Sequence, residues 1–340
     1  MATEGPAPVH APSMADVAAL AGVSHQTVSR VVNEHPSVLP DTRERVQAAI
    51  AALGYRRNSA ARALVTRRSG VLGAITIGGT HYGPTSTLLE LEDAARAAGF
   101  VVTVATLRQG DEAAVGHALE RLLEIGVEGV AVVAPTTQVA DVLSGLRATV
   151  PVVLVSSYTE GPRPEGVHAV AVGQRAGARL ATEHLLAHGR AEVVHVAGPQ
   201  DWFDARDRVA GWRDACEAAG VPARTPIGAG WDAADGYAAG RRLLDEGLPP
   251  AVFAANDQLA LGLLRALSEA GVRVPDDVAV VGFDDEPGAA FYSPPLTTVR
   301  QDFAALGRAA VDSLTSVLAG GDPGDRVLTP QLVIRASSAT

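Results

Sequence analysis

His25, Gln26, Ser29 and Arg30 fall within six positions of one another, in the run Ser24-His25-Gln26-Thr27-Val28-Ser29-Arg30-Val31-Val32-Asn33. An imidazole, an amide, a hydroxyl and a guanidinium presented together can hydrogen-bond base edges and phosphates. A helix carrying them is narrow enough to enter the DNA major groove. What turns them outward is the apolar remainder. Val28, Val31 and Val32 form one stripe, and Val17, Leu20 and Ala21 form another on a preceding helix that starts at Met14-Ala15-Asp16. Gly22 supplies the turn that lets the two stripes face each other.

The helix boundaries are marked as well. Ser13 and Asp16 make an S-x-x-D pair at the start of the first helix, and Ser24 can cap the second. A third amphipathic helix runs from Asp41-Thr42-Arg43-Glu44-Arg45 through Val46, Ala49, Ile50 and Leu53 to a stop at Gly54. Three short helices around one small core predict a helix-turn-helix headpiece; a helical hairpin with an ordinary polar surface is the alternative.

These segments resemble the headpiece of the LacI/GalR family of bacterial transcriptional repressors over residues 13 to 64, and the likeness continues almost to the C-terminus. It is carried by Val23 to Asn33, by Thr42-Arg43-Glu44-Arg45-Val46, and by Leu53-Gly54-Tyr55-Arg56-Arg57-Asn58. Further on it is carried by Ala254-Ala255-Asn256-Asp257-Gln258, Val281-Gly282-Phe283-Asp284-Asp285 and the run from Pro294 to Phe303. The resemblance implies sequence-specific binding to double-stranded operator DNA by a homodimer, under the control of a small-molecule effector. The expected DNA-binding set is Ser13, Ser24, His25, Gln26, Thr27, Ser29, Arg30, Asn33, Asn58 and Leu64.

Charge is distributed to suit such a role. Residues 1–70 hold 8 Arg and 5 acidic side chains, whereas the whole chain of 340 residues is at −10. A basic headpiece tethered to an acidic body approaches DNA in one orientation. No apolar run reaches membrane-spanning length, and residues 1–12 lack the charged and apolar regions of a signal peptide. They read as a disordered leader, and the protein is expected in the cytoplasm with no membrane partner. The single cysteine, Cys216, leaves no internal disulfide and no cysteine metal cluster.

Residues 58–70 join headpiece and body. Asn58 can cap a short helix over Ala60, Ala61, Ala63 and Leu64, but one or two turns with a single large apolar residue cannot persist alone in water. The segment is expected to order only on DNA. The resemblance implies a hinge helix whose Leu64 wedges into the minor groove beside its dimer mate; a plain flexible linker is the alternative.

From Val71 the pattern alternates short Val/Ile/Ala runs with amphipathic helices. Strands are expected at 71–77, 100–106, 129–134 and 152–156, and in a second set at 169–172, 193–197, 251–255 and 278–283. Helices are expected near 85–98, 112–125, 138–147, 174–188, 202–219, 233–245 and 257–270. Buried strands joined by helices predict parallel sheets covered on both faces. Eight units suggest an α/β body of two Rossmann-like lobes over 71–335, periplasmic-binding-protein-like, followed by a tail at 336–340. The resemblance implies three chain crossings between lobes, near 157–168, 285–300 and 318–327.

Ligands in such sheets bind beyond the carboxyl ends of the strands, here in the cleft between lobes. Ser156, Ser157, Asn256, Asp257, Asp284 and Asp285 stand just after strands. A sugar needs carboxylates, an amide and an arginine for its hydroxyls, and an aromatic face for its C–H side. The resemblance implies Arg206, Asn256, Asp284 and Gln301 for hydroxyls, and Trp231 and Phe303 for stacking. The chain departs from the family at Ser156, where an aspartate stands in a relative, and around the first strand's exit, where His81 and its neighbours replace small and aliphatic residues. These positions are expected to face the part of the effector attached to the sugar, which leaves a galactoside or a different disaccharide open.

An enzyme on a doubly wound fold is poorly supported, and no cofactor is expected. There is no G-x-G-x-x-G after a strand, no phosphate-binding G-x-x-x-x-G-K-[ST] loop and no G-x-S-x-G elbow. His184 and His188 are four apart, but no Glu follows His184. A sugar-binding protein of transport shares the two-lobed body but has no need of the headpiece. A purine corepressor remains an alternative, although a purine would call for two parallel aromatic walls. After Arg335 no leucine heptad follows, so a dimer rather than a tetramer is expected.

Overall fold

The computed structural model describes residues 12–55, 68–77, 81–108, 111, 114–133, 136–139, 142, 149–157 and 166–338. Asn58, Leu64 and the expected hinge helix lie outside the described residues, as does most of the helix expected at 138–147. The chain divides into two units, residues 1–69 and residues 70–340.

In the first unit, helix α1 (Met14–Ala21) begins with a reciprocal capping box. The Ser13 hydroxyl accepts the Asp16 amide at 3.3 Å while the Asp16 carboxylate accepts the Ser13 amide at 2.8 Å. Gly22 closes the helix at φ 63°, a left-handed conformation that a side chain would strain. Ser24 caps α2 (His25–Val32) by accepting the Thr27 amide at 3.1 Å. Helix α3 (Pro40–Leu53) starts one residue earlier than expected, with Pro40 in the first turn where no amide is needed. Its Arg45 guanidinium donates to the carbonyls of Ala21 and Gly22, satisfying the exposed end of α1. The core is Val17, Ala18, Ala21, Val28, Val31, Val46, Ala49 and Tyr55. Leu20 departs from the expectation and is 56% exposed. At about 100° per residue the buried stripe is centred between Val17 and Ala18, and Leu20 lies more than a quarter-turn off it.

The second unit contains two six-stranded sheets. The first has the order β11-β5-β4-β3-β1-β2, built from β1 (Val71–Ile77), β2 (Val101–Leu107), β3 (Val130–Val133), β4 (Val152–Val155), β5 (Val167–Val172) and β11 (Arg326–Leu328). All its pairings are parallel. The second has the order β12-β10-β9-β8-β6-β7, built from β6 (Val194–Ala197), β7 (Ile227–Gly228), β8 (Ala251–Ala254), β9 (Ala279–Asp284), β10 (Thr297–Arg300) and β12 (Gln331–Val333). Only β12 runs antiparallel. Helices α4 (Tyr82–Ala97), α5 (Val115–Ile125) and α10 (Phe303–Leu318) cover the first sheet. Helices α6 (Gln174–Ala187), α7 (Phe203–Ala218), α8 (Ala233–Glu246) and α9 (Asp257–Glu269) belong to the second. Among the described residues no helix is long and apolar enough to cross a membrane.

The chain crosses between lobes three times, but later than expected. It crosses after β5 near residue 173, after β10 near 301–302, and between β11 and β12 near 329–330. The strand expected over 169–172 therefore pairs with β4 in the first sheet. Each crossing follows the terminal residue of a strand, and the three stretches expected to cross instead connect elements of a single lobe. Residues 336–338 are not a free tail. Ser337 and Ser338 are buried; the Ser337 hydroxyl accepts the Thr297 amide at 2.8 Å and donates to the Val280 carbonyl at 2.6 Å.

Candidate functional site

On α2, His25, Gln26 and Arg30 are exposed, while Thr27 and Ser29 are half-buried. The first turn is held by Ser24, whose hydroxyl also lies 2.9 Å from that of Thr27. At the other end the Asn33 amide donates to the Ser29 carbonyl at 2.8 Å and to its hydroxyl at 3.3 Å. Ser13, Ser24, Thr27, Ser29 and Asn33 thus shape and terminate the helices, leaving His25, Gln26 and Arg30 as its outward-facing side chains. The three carry an imidazole, an amide able to donate and accept at once, and a fixed cation.

The body's cleft is built where strands end. Ser156 follows β4, Gln174 follows β5, Trp231 follows β7, Asn256 follows β8, Asp284 ends β9, and Gln301 follows β10. His81 and Tyr82 enter from the start of α4 and Phe303 from the start of α10. Its floor is a closed polar ring. The Arg208 guanidinium donates to Gln174 Oε1 at 2.9 Å, Gln174 donates to Gln301 Oε1 at 2.8 Å, and Gln301 donates to Asp284 Oδ1 at 2.6 Å. Arg208 completes the ring 3.6 Å from Asp284. It also donates to the Ala255 carbonyl, and its guanidinium lies 3.9 Å from the centre of the Phe283 ring.

Burial drives the Asp284 carboxyl up to about 7, against the opposing pull of Arg208 and the Gln301 hydrogen bond; Glu286 and Asp204 add to the rise. Asp284 also holds φ at 110° and Asp285 at 53°, a left-handed pair of non-glycine residues of the kind that strained sites retain. Asp285 is turned away from the cleft and pinned by Arg300 at 2.6 Å and Arg335 at 2.7 Å. Beneath the ring, burial and then the neighbouring Asp284 hold Asp257 well above the usual carboxylate range. Asn256 bridges elements: it donates to the Trp231 carbonyl at 3.0 Å and accepts the Leu259 amide at 2.8 Å.

The walls are aromatic and set edge to face. Trp202 and Trp231 meet at 5.7 Å and 76°, and Tyr82 meets Phe303 at 5.7 Å and 82°. Trp231 can lie over the end of β6 because position 198 is glycine; a Cβ there would fall inside the indole. The indole N–H groups of Trp202 and Trp231 are buried without a hydrogen-bond partner among the described residues. His81 packs against Trp202 at 6.0 Å, with Nδ1 4.0 Å from the Asp232 carboxylate.

Of the eight expected cleft residues, Ser156, His81, Trp231, Asn256, Asp284, Gln301 and Phe303 come together. Arg206 does not. It is exposed on α7 and lines an adjoining groove that shares Ser156 and Gln174 with the cleft, and the arginine of the cleft itself is Arg208. Two positions along a helix turn a side chain by about 200°, which carries it out of the polar ring and into the adjoining groove. Tyr82, beside His81 at the first strand's exit, also lines the cleft, whereas Arg208, Asp204, Gln174 and Trp202 are not among the expected residues. Asp204 returns to the cleft the carboxylate that position 156 lacks: its Oδ1 accepts from the Ser156 hydroxyl at 2.9 Å. Among the described residues no three His, Cys, Asp or Glu side chains converge to hold a metal ion.

Residues 13–58 match the family model described as bacterial regulatory proteins, lacI family, and residues 182–338 match a periplasmic binding protein-like domain. The chain is 34% identical over 326 residues to the lactose operon repressor of Escherichia coli, covering 95% of this chain and 89% of the relative. It is 37% identical over 352 residues to the transcriptional regulator CelR of Thermobifida fusca, covering 96% and 98%. It is 34% identical over 338 residues to the transcriptional repressor PurR of Haemophilus influenzae, covering 95% and 97%. Among solved structures, the lac repressor dimer bound to operator and the anti-inducer ONPF superposes with a TM-score of 0.88 at 33% identity, covering 97% of this chain and all of that one. The CelR–cellobiose complex superposes with a TM-score of 0.70 at 33% identity, covering 96% and 99%.

Proposed function

This chain belongs to the lacI family of bacterial regulatory proteins, and we propose on that premise that it is a homodimeric, operator-binding transcriptional repressor released by a neutral sugar held between the two lobes. The observation that carries the effector assignment is the ring of Arg208, Gln174, Gln301 and Asp284 under an aromatic wall. It alternates donors with acceptors, as a ligand whose hydroxyls do both requires, and Trp231 and Phe303 offer faces for the sugar's C–H side. The cellobiose bound to CelR supports a saccharide of disaccharide size. A purine corepressor is the second reading, but the edge-to-face setting of Trp202 and Trp231 provides no slot between parallel rings.

His25, Gln26 and Arg30 read the operator in this account, through base edges and phosphate. A sugar alters operator affinity only if it binds the two arrangements of the lobes unequally. The test is a gel shift on an operator selected from randomised DNA, with neutral mono- and disaccharides and with purine bases. The expected result is that at least one neutral sugar raises the protein concentration for half-binding tenfold or more. A response to purines alone would replace the sugar by a corepressor. With the operator in hand, Gln26→Ala should cost about 1–3 kcal/mol of discrimination at one or two base pairs; an unchanged preference in the same selection would remove Gln26 from the reading set.

A further inference from the structure

One carboxylate in the cleft is shared between the lobes. Asp204 sits in the first turn of α7, in the second lobe. Its Oδ1 accepts three hydrogen bonds from the end of β4 in the first lobe: the Ser156 hydroxyl at 2.9 Å, the Ser157 hydroxyl at 2.9 Å and the Ser157 amide at 3.1 Å. A second link joins the same lobes nearby, where the Thr137 amide donates to the Asp201 carbonyl at 2.8 Å. Among the described residues no hydrogen bond reaches Asp204 Oδ2. The side chain lines the cleft with Ser156, Trp202 and Asp284, and its charge is one of the influences that raise Asp284.

We propose that Asp204 is the specificity-determining acceptor of this cleft, and that through the same side chain it latches the lobes at the spacing where an effector is read. The proposal rests on the reading of the cleft as an effector site. A carboxylate has about four lone-pair positions; three donors crowd Oδ1 and fix the group, leaving Oδ2 to a ligand hydroxyl. A ligand that places a C–H or an ether oxygen there strands a desolvated anion and is rejected. A ligand that brings its own negative charge meets two acidic groups, Asp204 and Asp284, and a single arginine, Arg208, among the described residues lining the cleft. The class admitted is therefore a neutral saccharide with a free hydroxyl at this point, and sugar phosphates and uronic acids are excluded.

Two measurements on the full chain test this, one of them without ligand. Hydrogen exchange at the Ser157 amide should be at least tenfold faster in Asp204→Ala than in the parent; an unchanged rate overturns the latch. Titrations followed by tryptophan fluorescence, with Trp202 and Trp231 as reporters, then compare neutral disaccharides with their phosphorylated and uronic counterparts. The parent should favour the neutral sugar by tenfold or more. The near-isosteric Asp204→Asn, checked for an intact fold by circular dichroism, should bind that sugar at least tenfold more weakly and lose most of the discrimination against charged analogues. Parent-like affinity and discrimination in Asp204→Asn would overturn the acceptor role while leaving the effector reading standing. No binding of any sugar to the parent would overturn both, and the ligand-free exchange rate tells that case apart.

Discussion

Arg206 and Arg208 show how much a single position decides. Both lie in the segment Asp204-Ala205-Arg206-Asp207-Arg208-Val209, and the family likeness alone pointed to the first. The helical period points to the second, because Ala205, Arg208, Val209 and Trp212 form the buried stripe of α7. Arg208→Ala should therefore remove a partner from Gln174 and leave Asp284 buried without its cation, raising the concentration of sugar needed for release at least tenfold. Arg206→Ala, outside the polar ring and in the adjoining groove, should shift it by less than twofold in the same gel-shift titration. Asp284 makes a separate prediction. Its folded value near 7 lies above the ordinary 3.8, so the protonated form is the one the folded protein prefers. Its contribution to stability is accordingly present below about pH 4 and is lost as the pH rises through 7. A sugar hydroxyl donating to the carboxylate favours the ionised form, so affinity should climb between pH 6 and pH 8 and binding near pH 7 should release a proton. Calorimetry in buffers of different ionisation enthalpy reads that proton, and the dependence should vanish in Asp284→Asn.

At the scale of elements, what was legible followed from periodicity and punctuation. The S-x-x-D pair, Gly22 and Ser24 located α1 and α2, and the Val/Ile/Ala runs placed the central strands to within two residues. The missed pieces are those whose signal is short or conditional. β7, β11 and β12 have two or three residues each, too few for an alternation to appear. β10 reads Thr-Thr-Val-Arg, and its three buried residues owe their burial to neighbours on both sides rather than to apolar character. Helix α10 escaped because Gln301 and Phe303 read as ligand contacts, although Asp302 between them is its cap, accepting the Ala305 amide at 2.8 Å. The short α2 depends on such a cap more than the longer helices do. Ser24→Ala should cost about 1 kcal/mol of headpiece stability, seen as faster native-state hydrogen exchange over residues 25–32, with operator affinity falling in step. Unchanged exchange would mean that tertiary packing against α1 and α3 alone sustains the helix.

For the molecule as a whole, the lobes are held together at their ends as well as their cores. Ending the chain at Arg335 removes Ser337 and Ser338, whose hydroxyls serve Thr297, Val280 and His184 inside the second lobe. Each buried group left without its partner costs about 1–3 kcal/mol, so the truncated protein should melt several degrees lower; an unchanged Tm would show that water replaces the hydroxyls. Sedimentation should give a dimer, as a two-fold operator requires. Phe291 is 87% exposed and Leu261 37% exposed on the second lobe. A dimer contact through the second lobe that covered Phe291 would be broken by Phe291→Asp, and parent-like sedimentation of that variant would place the contact elsewhere. The three chain crossings have one more consequence, for how such a gene can recombine. Because each lobe is assembled from separated stretches, a single exchange point between 174 and 328 would join fragments of both lobes from different parents and mismatch two cores at once, and one between 71 and 172 would mismatch the first. An exchange at Ser69–Gly70, where the two units divide, transfers the operator reader whole and the sugar reader whole. New pairings of operator and inducer can thus arise from one genetic event, whereas a new sugar preference has to be reached by point substitutions such as those at positions 156 and 204.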